Sequence, residues 1–547
     1  MSAPATPLAQ LRAAVQVAAV DVKGGGEPPA QIRVEQPKRT GQGDYSTNVG
    51  MLLAPLLGAA PRETAERAGE ALTGLLGDAL SGYEVAGPGF LNLTLSDGWH
   101  RDALRAVLDG GERFGAGGAQ PGQRVLVEFV SANPTGPLVA ASGRHAAYGS
   151  ALARILQHHG HDVWREYYFN DAGSQIRLLG ESVQARARGD AVPEGGYQGE
   201  YVAGLADAIE GAASLSVQEA SAAAVELLLA LIKGTLERYG VHYDQFFSER
   251  VLHEGSPSYL SRALEIVARG GHSYESDGAL WLRTTTFGDD KDRVLRRSDG
   301  APTYFAADLA YLLEKTERGV DLQLVPVGSD HHGYVARMKA AFAALGNEPD
   351  ALELPILQFV HLIEGSERAA MSKRRGEFIT LDELLDEIGV DATRFFMLQR
   401  SHDRTVDLDL DLARRESPEN PVYYIQYAHA RIVTMLARLD SARVSGALGG
   451  AGGWGDRALE TAERELIKAL VVFPEEIEEA AERRAPHRIA AYALELAQTF
   501  TAFYRDCKVV GAEPESLESF RVALSQAARQ VITLSLWLLG VSAPDSM

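Results

Sequence analysis

Residues 125–150 read VLVEFVSANPTGPLVAASGRHAAYGS. Val125 to Val130 is a short β-branched run, the pattern of a buried parallel strand. Ser131 to Pro137 reads as a tight turn. A helical pattern follows, with Leu152 and Ile155 on its apolar face. Strand, turn and helix in this order open a nucleotide-binding α/β domain, where phosphates sit at the helix N-terminus. Gly136 and Gly143 would permit close backbone approach, and the helix dipole would favour an anion.

Outward from this unit, 547 residues leave room for three or four domains with a large core. Hydrophobic residues make up 46% and charged residues 23%, the balance of a soluble globular protein. No apolar run reaches the roughly 18–20 residues of a membrane span. The start, MSAPATPLAQLRAAVQVAAV, reads as an amphipathic helix rather than a secretory signal. A single cysteine, Cys507, excludes a disulfide framework and a multi-cysteine zinc site, so a reducing cytoplasm is expected. A net charge of −21 argues against nonspecific nucleic-acid binding and leaves room for a specific RNA held on a local basic face.

The pattern divides the chain into residues 1–110, 120–385 and 386–547. The first part pairs a helical start with Ile32 to Val34, a Gly-rich loop, an Ala/Leu helix at 49–80 and the alternating strand Phe90 to Leu95. In the second, strands are expected at Val163 to Phe169, Leu322 to Val327 and Ile356 to Ile363, around a mostly helical insertion at about 173–285. In the third, Ile489, Ala493, Leu496, Phe500, Phe503 and Cys507 mark one buried helix stripe. The expected fold class is α/β: a Rossmann-like parallel-sheet domain with a helical insertion, a small N-terminal α/β domain and a C-terminal helical bundle.

Several segments carry chemistry. Ala370-Met371-Ser372-Lys373-Arg374-Arg375-Gly376 is a basic, Gly-ended loop able to close over a triphosphate. Gly328-Ser329-Asp330-His331-His332-Gly333 follows a strand end, where open α/β sheets place ligands. Its His-His-Asp residues are adjacent, and without a third spaced ligand no metal is expected. Tyr304 and Asp308 share a helix face at i,i+4. Glu128 lies inside an apolar strand, where an acid is costly unless paired. Tyr423, Tyr424 and Tyr427, with Arg431, enrich a helix in groups that stack on unpaired bases.

The 125–150 segment, the Met371-Ser372-Lys373 loop with the following Phe378 to Leu384, the Asp391 to Phe396 run and the Gly540 to Pro544 finish together resemble class I aminoacyl-tRNA synthetases, specifically the arginyl enzymes. That resemblance implies ATP-dependent activation of L-arginine to the adenylate and transfer to the 3′ end of tRNA(Arg), with ATP as substrate and Mg²⁺. It implies catalytic roles for Met371, Ser372, Lys373 and Arg374. ATP binding falls to Pro137, Ser142, Gly143, His145, Gly328, His331 and His332. Arginine binding falls to Glu128, Ser131, Asn133, Tyr304, Asp308 and Asp330, because carboxylates pair bidentately with a guanidinium. Tyr427, Arg431 and Asn48 are expected at tRNA, with residues 1–110 and 386–547 as additional and anticodon-binding domains. A cytoplasmic monomer is expected. The family's His-x-Gly-His signature is replaced by Val139-Ala140-Ala141-Ser142, and the first Lys of its Lys-Met-Ser-Lys-Ser loop by Ala370. The changed signature leaves open an alternative: a synthetase-like protein that binds tRNA or arginine with impaired adenylation.

Overall fold

A computed structural model describes residues 6–37, 39, 41–329, 333–365, 367–368, 378–449 and 453–547. The helix Pro7–Lys23 opens the N-terminal part, with the Thr6 side chain accepting from the Ala9 N–H as its cap. It packs with the helices Val49–Leu57 and Pro61–Leu76 on a four-stranded antiparallel sheet. The sheet order is Val34–Glu35, Tyr45–Thr47, Phe90–Leu95, Leu80–Ala86. Gly58 and Pro61 break the single expected helix at 49–80 into two.

Five parallel strands form the central sheet, in the order Leu352–Glu353, Leu322–Leu324, Arg124–Glu128, Asp162–Phe169, Gln245–Ser248. Arg124–Glu128 is the middle strand, with Val125, Leu126 and Val127 buried, which explains its continuous apolar run. The helix Ser142–His159 lies across it. Gly149 is where the two elements touch: a Cβ there would stand 2.1 Å from Phe129 Cγ, so only glycine permits this closeness.

The insertion expected over 173–285 is continuously helical in character as far as Arg238, through Gly173–Arg188, Glu200–Ala208 and Val217–Arg238, and mixes helix with strand beyond it. These helices share a small core of their own around Leu179, Val183, Val202 and Leu228. Gln245–Ser248 then rejoins the central sheet beside Glu166 to Phe169. After the helix Tyr259–Arg269, the strands Ser273–Ser276, Ala279–Leu282 and Arg293–Arg296 make an antiparallel sheet. Four-residue strands are too short to declare a period, which is why the sequence hides them.

A bundle of helices closes the chain, including Pro421–Leu436, Thr461–Val471, Phe473–Glu482, His487–Asp506 and Glu515–Leu539. The expected stripe is buried throughout, with Cys507 as the residue that ends its helix. Glu515–Leu539 is long and apolar enough to cross a membrane by length and composition, a test that a buried core helix also passes. Here Val531, Ile532, Leu536, Leu538 and Leu539 are buried, and the helix packs against His487–Asp506 and Ser142–His159. The bundle is tied to the sheet domain by Arg394, on the helix Leu381–Leu398. Its buried guanidinium donates to the carbonyls of Leu539 and Tyr239 and to Ser150 Oγ.

Candidate active site

A cavity of about 590 Å³ opens beyond the C-terminal ends of the central strands. Its floor begins where the middle strand stops. Val130 and Ser131 take positive φ values of 69° and 43° there, a conformation that costs energy, above all for a β-branched residue. Hydroxyls hold the turn in place. Tyr243 donates to the Phe129 carbonyl at 3.0 Å, and Tyr167 donates to the Ala132 carbonyl at 2.8 Å. Ser131 Oγ accepts from the Tyr168 N–H at 3.1 Å and donates to Glu128 Oε1 at 3.0 Å.

One wall is the helix Tyr304–Glu317, which presents Asp308, Tyr311, Leu312 and Lys315 at helical spacing. Lys315 Nζ forms a buried ion pair with Glu128 Oε2 and sits 3.9 Å over the Tyr311 ring. Glu128 thus already has a partner within the protein, which meets the cost of burying it. Asp308 accepts a hydrogen bond from Tyr334. Burial, reinforced by the charges of Glu128 and Glu249, pushes its carboxyl up to about 7, against the opposing effects of Tyr334 and Lys315. Glu249 accepts from the Tyr168 hydroxyl at 2.5 Å, and burial together with Glu249 raises that phenol's pKa. Two carboxylates, Glu128 and Asp308, therefore line a cavity walled by aromatic rings, with the charge of Glu249 close enough to act on Asp308 and with Lys315 paired to Glu128. An added guanidinium would relieve that repulsion and find planar partners.

The opposite wall is the start of the helix Ser142–His159, where Ala141, Ser142 and His145 line the cavity. The preceding turn uses the first backbone N–H groups itself. Ser142 donates to Val139, Gly143 to Ala140 and Arg144 to Ala141. Arg144 also lines the cavity, yet its guanidinium is buried and donates to the carbonyls of Gln358, Phe359, Ser401 and Arg404. Burial lowers its pKa to about 10. The signature turn is stitched to the start of the helix Leu381–Leu398: Ala140 N–H donates to Ile379 O at 2.9 Å, and Leu381 N–H to Leu138 O at 2.8 Å. Two segments far apart in sequence thereby meet beside Ala141, which lines the cavity.

Glu128, Ser131, Ser142, His145, Asp308 and Gly328 are brought together as cavity-lining residues. Tyr304 is not: it stands on the first turn of its helix, 65% exposed, and the phenol at Asp308 belongs to Tyr334. Gly143 turns to the neighbouring helix, where a Cβ would meet Leu381 Cδ1 at 2.9 Å. Gly136 likewise faces Tyr201. Pro137 is buried outside the cavity lining. Asn133 braces the loop, donating to Gln175 Oε1 at 3.1 Å and accepting from Asn170 N–H at 3.2 Å. Asp330, His331 and His332, and Met371, Ser372, Lys373 and Arg374, lie outside the described residues. Far from the cavity, Tyr427 is 41% exposed, stacks on Tyr423 and carries the Arg431 guanidinium 4.6 Å above its ring. Asn48 pins the Gln31 carbonyl and the Arg33 N–H within its own domain. Sequence reasoning missed Glu249, Tyr334 and Lys315. Lys315 alone had a signal, one heptad beyond Asp308 on the same helix face.

The strand-turn-helix start and the strand-end cavity are those of the catalytic domain of a class I aminoacyl-tRNA synthetase, whose family model matches residues 219–412. Thermus thermophilus arginyl-tRNA synthetase shares the fold with a TM-score of 0.76 and 24% identity, over 98% of this chain and 100% of that one. A putative arginyl-tRNA synthetase from Campylobacter jejuni superposes with a TM-score of 0.76 at 33% identity, over 83% of this chain and 100% of that one. The model for the arginyl tRNA synthetase N terminal domain matches residues 9–95, that for tRNA synthetases class I (R), catalytic domain, residues 219–412, and that for the DALR anticodon binding domain, residues 425–547. Arginine–tRNA ligase of Frankia alni is 45% identical over 535 residues, 95% of each chain. The chain belongs to the arginyl-tRNA synthetase family.

Proposed function

We propose that the protein joins the L-arginine carboxylate to the α-phosphate of ATP, releases pyrophosphate, and passes the arginyl group to the 3′ end of tRNA(Arg). The observation that carries this reading is the pair of carboxylates Glu128 and Asp308 lining one cavity beside the signature helix, with the charge of Glu249 acting on Asp308 from nearby. Asp308 takes the guanidinium, Glu128 and Ser131 hold the amino-acid end near the strained turn, and Ser142 and Gly328 border the nucleotide. Lys373, with Met371, Ser372 and Arg374, neutralises the departing pyrophosphate by its likeness to the family's loop. Positioning and charge neutralisation supply most of the rate in such a transfer. Mg²⁺ enters with the nucleotide as part of the substrate. Tyr427 and Arg431 serve the tRNA, and the enzyme works as a cytoplasmic monomer.

Charging of unfractionated tRNA with each amino acid in turn tests the reading. Arginine alone should be attached, and only with ATP. A protein that retains tRNA or arginine but yields no aminoacyl-tRNA would defeat it.

A further inference from the structure

A second cleft, of about 1140 Å³, lies between the N-terminal domain and the helical bundle and shares no lining residue with the strand-end cavity. Acids dominate its wall. Glu475, Glu478, Glu479 and Glu482 recur at i, i+3, i+4 and i+7 on the helix Phe473–Glu482, a stripe about 10 Å long. Glu495 faces it from the helix His487–Asp506, Glu465 from Thr461–Val471 and Glu35 from the first sheet. Arg12 and Arg488 also line the cleft, and both are taken: Arg12 pairs with Glu475 at 2.6 Å, and Arg488 with Glu476 at 3.0 Å. His487 adds no fixed charge, because burial lowers its pKa. Burial pushes the Glu475 carboxyl up to about 7 against the lowering effect of Arg12, and the charges of Glu478 and Glu476 add to the rise. Glu478, Glu482 and Glu495 are exposed and form no ion pair among the described residues.

Tyr45 supplies an independent sign of a ligand. It lines the cleft from the strand Tyr45–Thr47, is 2% exposed, and its hydroxyl has no hydrogen-bond partner among the described residues. After burial itself, the groups acting on that hydroxyl are Glu475, Asp44, Arg12 and Glu465, three of which line the cleft. A buried hydroxyl without a partner costs free energy that an incoming donor recovers. Between the acids the surface is apolar, with Leu8, Val34, Val472 and Leu496. The carboxylates are strung along the cleft, and among the described residues no three acids or histidines are grouped as a metal ion requires. Ammonium groups on an aliphatic chain suit both features. Methylenes lie on the apolar surface, and the cations meet carboxylates at the roughly 5–6 Å spacing of neighbouring helix positions.

We propose that this cleft binds a linear polyamine, whose ammonium groups pair with Glu478, Glu482 and Glu495 and donate to the Tyr45 hydroxyl oxygen. The bound chain bridges the N-terminal domain and the helical bundle, and its site does not depend on the reaction assigned to the other cavity.

The test is calorimetric titration of the full-length, tRNA-free protein with spermine, a tetraamine. Binding should saturate at one site, weaken with added salt, and raise the unfolding midpoint as spermine concentration rises. The triple variant Glu478→Gln, Glu482→Gln, Glu495→Gln changes exposed side chains only and should keep its fold while the dissociation constant rises at least about tenfold. Tyr45→Phe keeps the ring and every carboxylate, and should weaken spermine by about tenfold through the lost hydroxyl alone. Binding that never saturates, or that is equally tight in wild type and both variants, would overturn the proposal. So would displacement of spermine by Mg²⁺ at equal concentration, which marks a diffuse counterion cloud, or tighter binding of a tetralysine peptide, which marks a peptide groove.

Discussion

Lys315, from the last turn of its helix, pairs with Glu128 at the end of the central strand, and both are almost wholly buried. Breaking such a pair leaves a charge without a partner, which costs about 3–5 kcal/mol. Lys315→Met should therefore destabilise the protein by that order in urea unfolding. Combining it with Glu128→Gln should return much of the stability, because no unpaired charge remains. An additive double variant would contradict the pairing.

Asp308 predicts a pH dependence. In the empty cavity its carboxyl lies at about 7, above the ordinary carboxylate value, so the folded state binds this proton more tightly than the unfolded state. Its contribution to stability is greatest below about pH 4 and declines as pH rises to about 7. Asp308→Asn should thus stabilise the ligand-free protein at pH 8, by on the order of 1–3 kcal/mol, with little effect at pH 4. Guanidinium pairing needs the ionised form, so arginine affinity should weaken by up to about tenfold per unit below pH 7. Calorimetry between pH 5.5 and 8.5 reads both the slope and its loss in the variant.

The strand-turn-helix unit and the helical stripe were legible because periodicity and punctuation are local. Asp308 was legible because its spacing on a helix is fixed. What Glu128 pairs with was not, since Lys315 is 187 residues away and meets it only through the sheet. Tyr334 reaches the cavity, and Glu249 comes near Asp308, by helix packing and strand pairing that no local pattern announces. Tyr304 illustrates the reverse error: the i,i+4 geometry holds, but the helix begins there and the cavity ends one turn later.

Gly143 reads as a nucleotide contact in sequence and as a helix contact in the fold. A methyl group there crowds only the end of the flexible Leu381 side chain, with Met397 and Tyr239 at ordinary contact distance, so Gly143→Ala should leave the KM for ATP within about twofold of wild type. Gly143→Val should push the two helices apart and lower the thermal midpoint, by about 1–3 kcal/mol of stability. A selective rise in the ATP KM for the alanine variant would place the glycine at the nucleotide after all.

Tyr427 and Arg431 make an exposed stack on the helical bundle. Tyr427→Ala should raise the KM for tRNA(Arg), at a cost near the 1–3 kcal/mol typical of a stacked base. Arginine binding and the unfolding midpoint should hardly change. Charging kinetics over a range of tRNA concentrations separate these effects.

The central claim is that the carboxylate cluster selects a planar cation. Citrulline has the same length and shape as arginine but no charge, so calorimetric titration of the wild-type protein with each ligand tests the cluster alone. The structure predicts that arginine binds at least about 100-fold more tightly, because charged bidentate pairs are lost and buried acids stay unpaired with citrulline. Equal affinity for the two would contradict it.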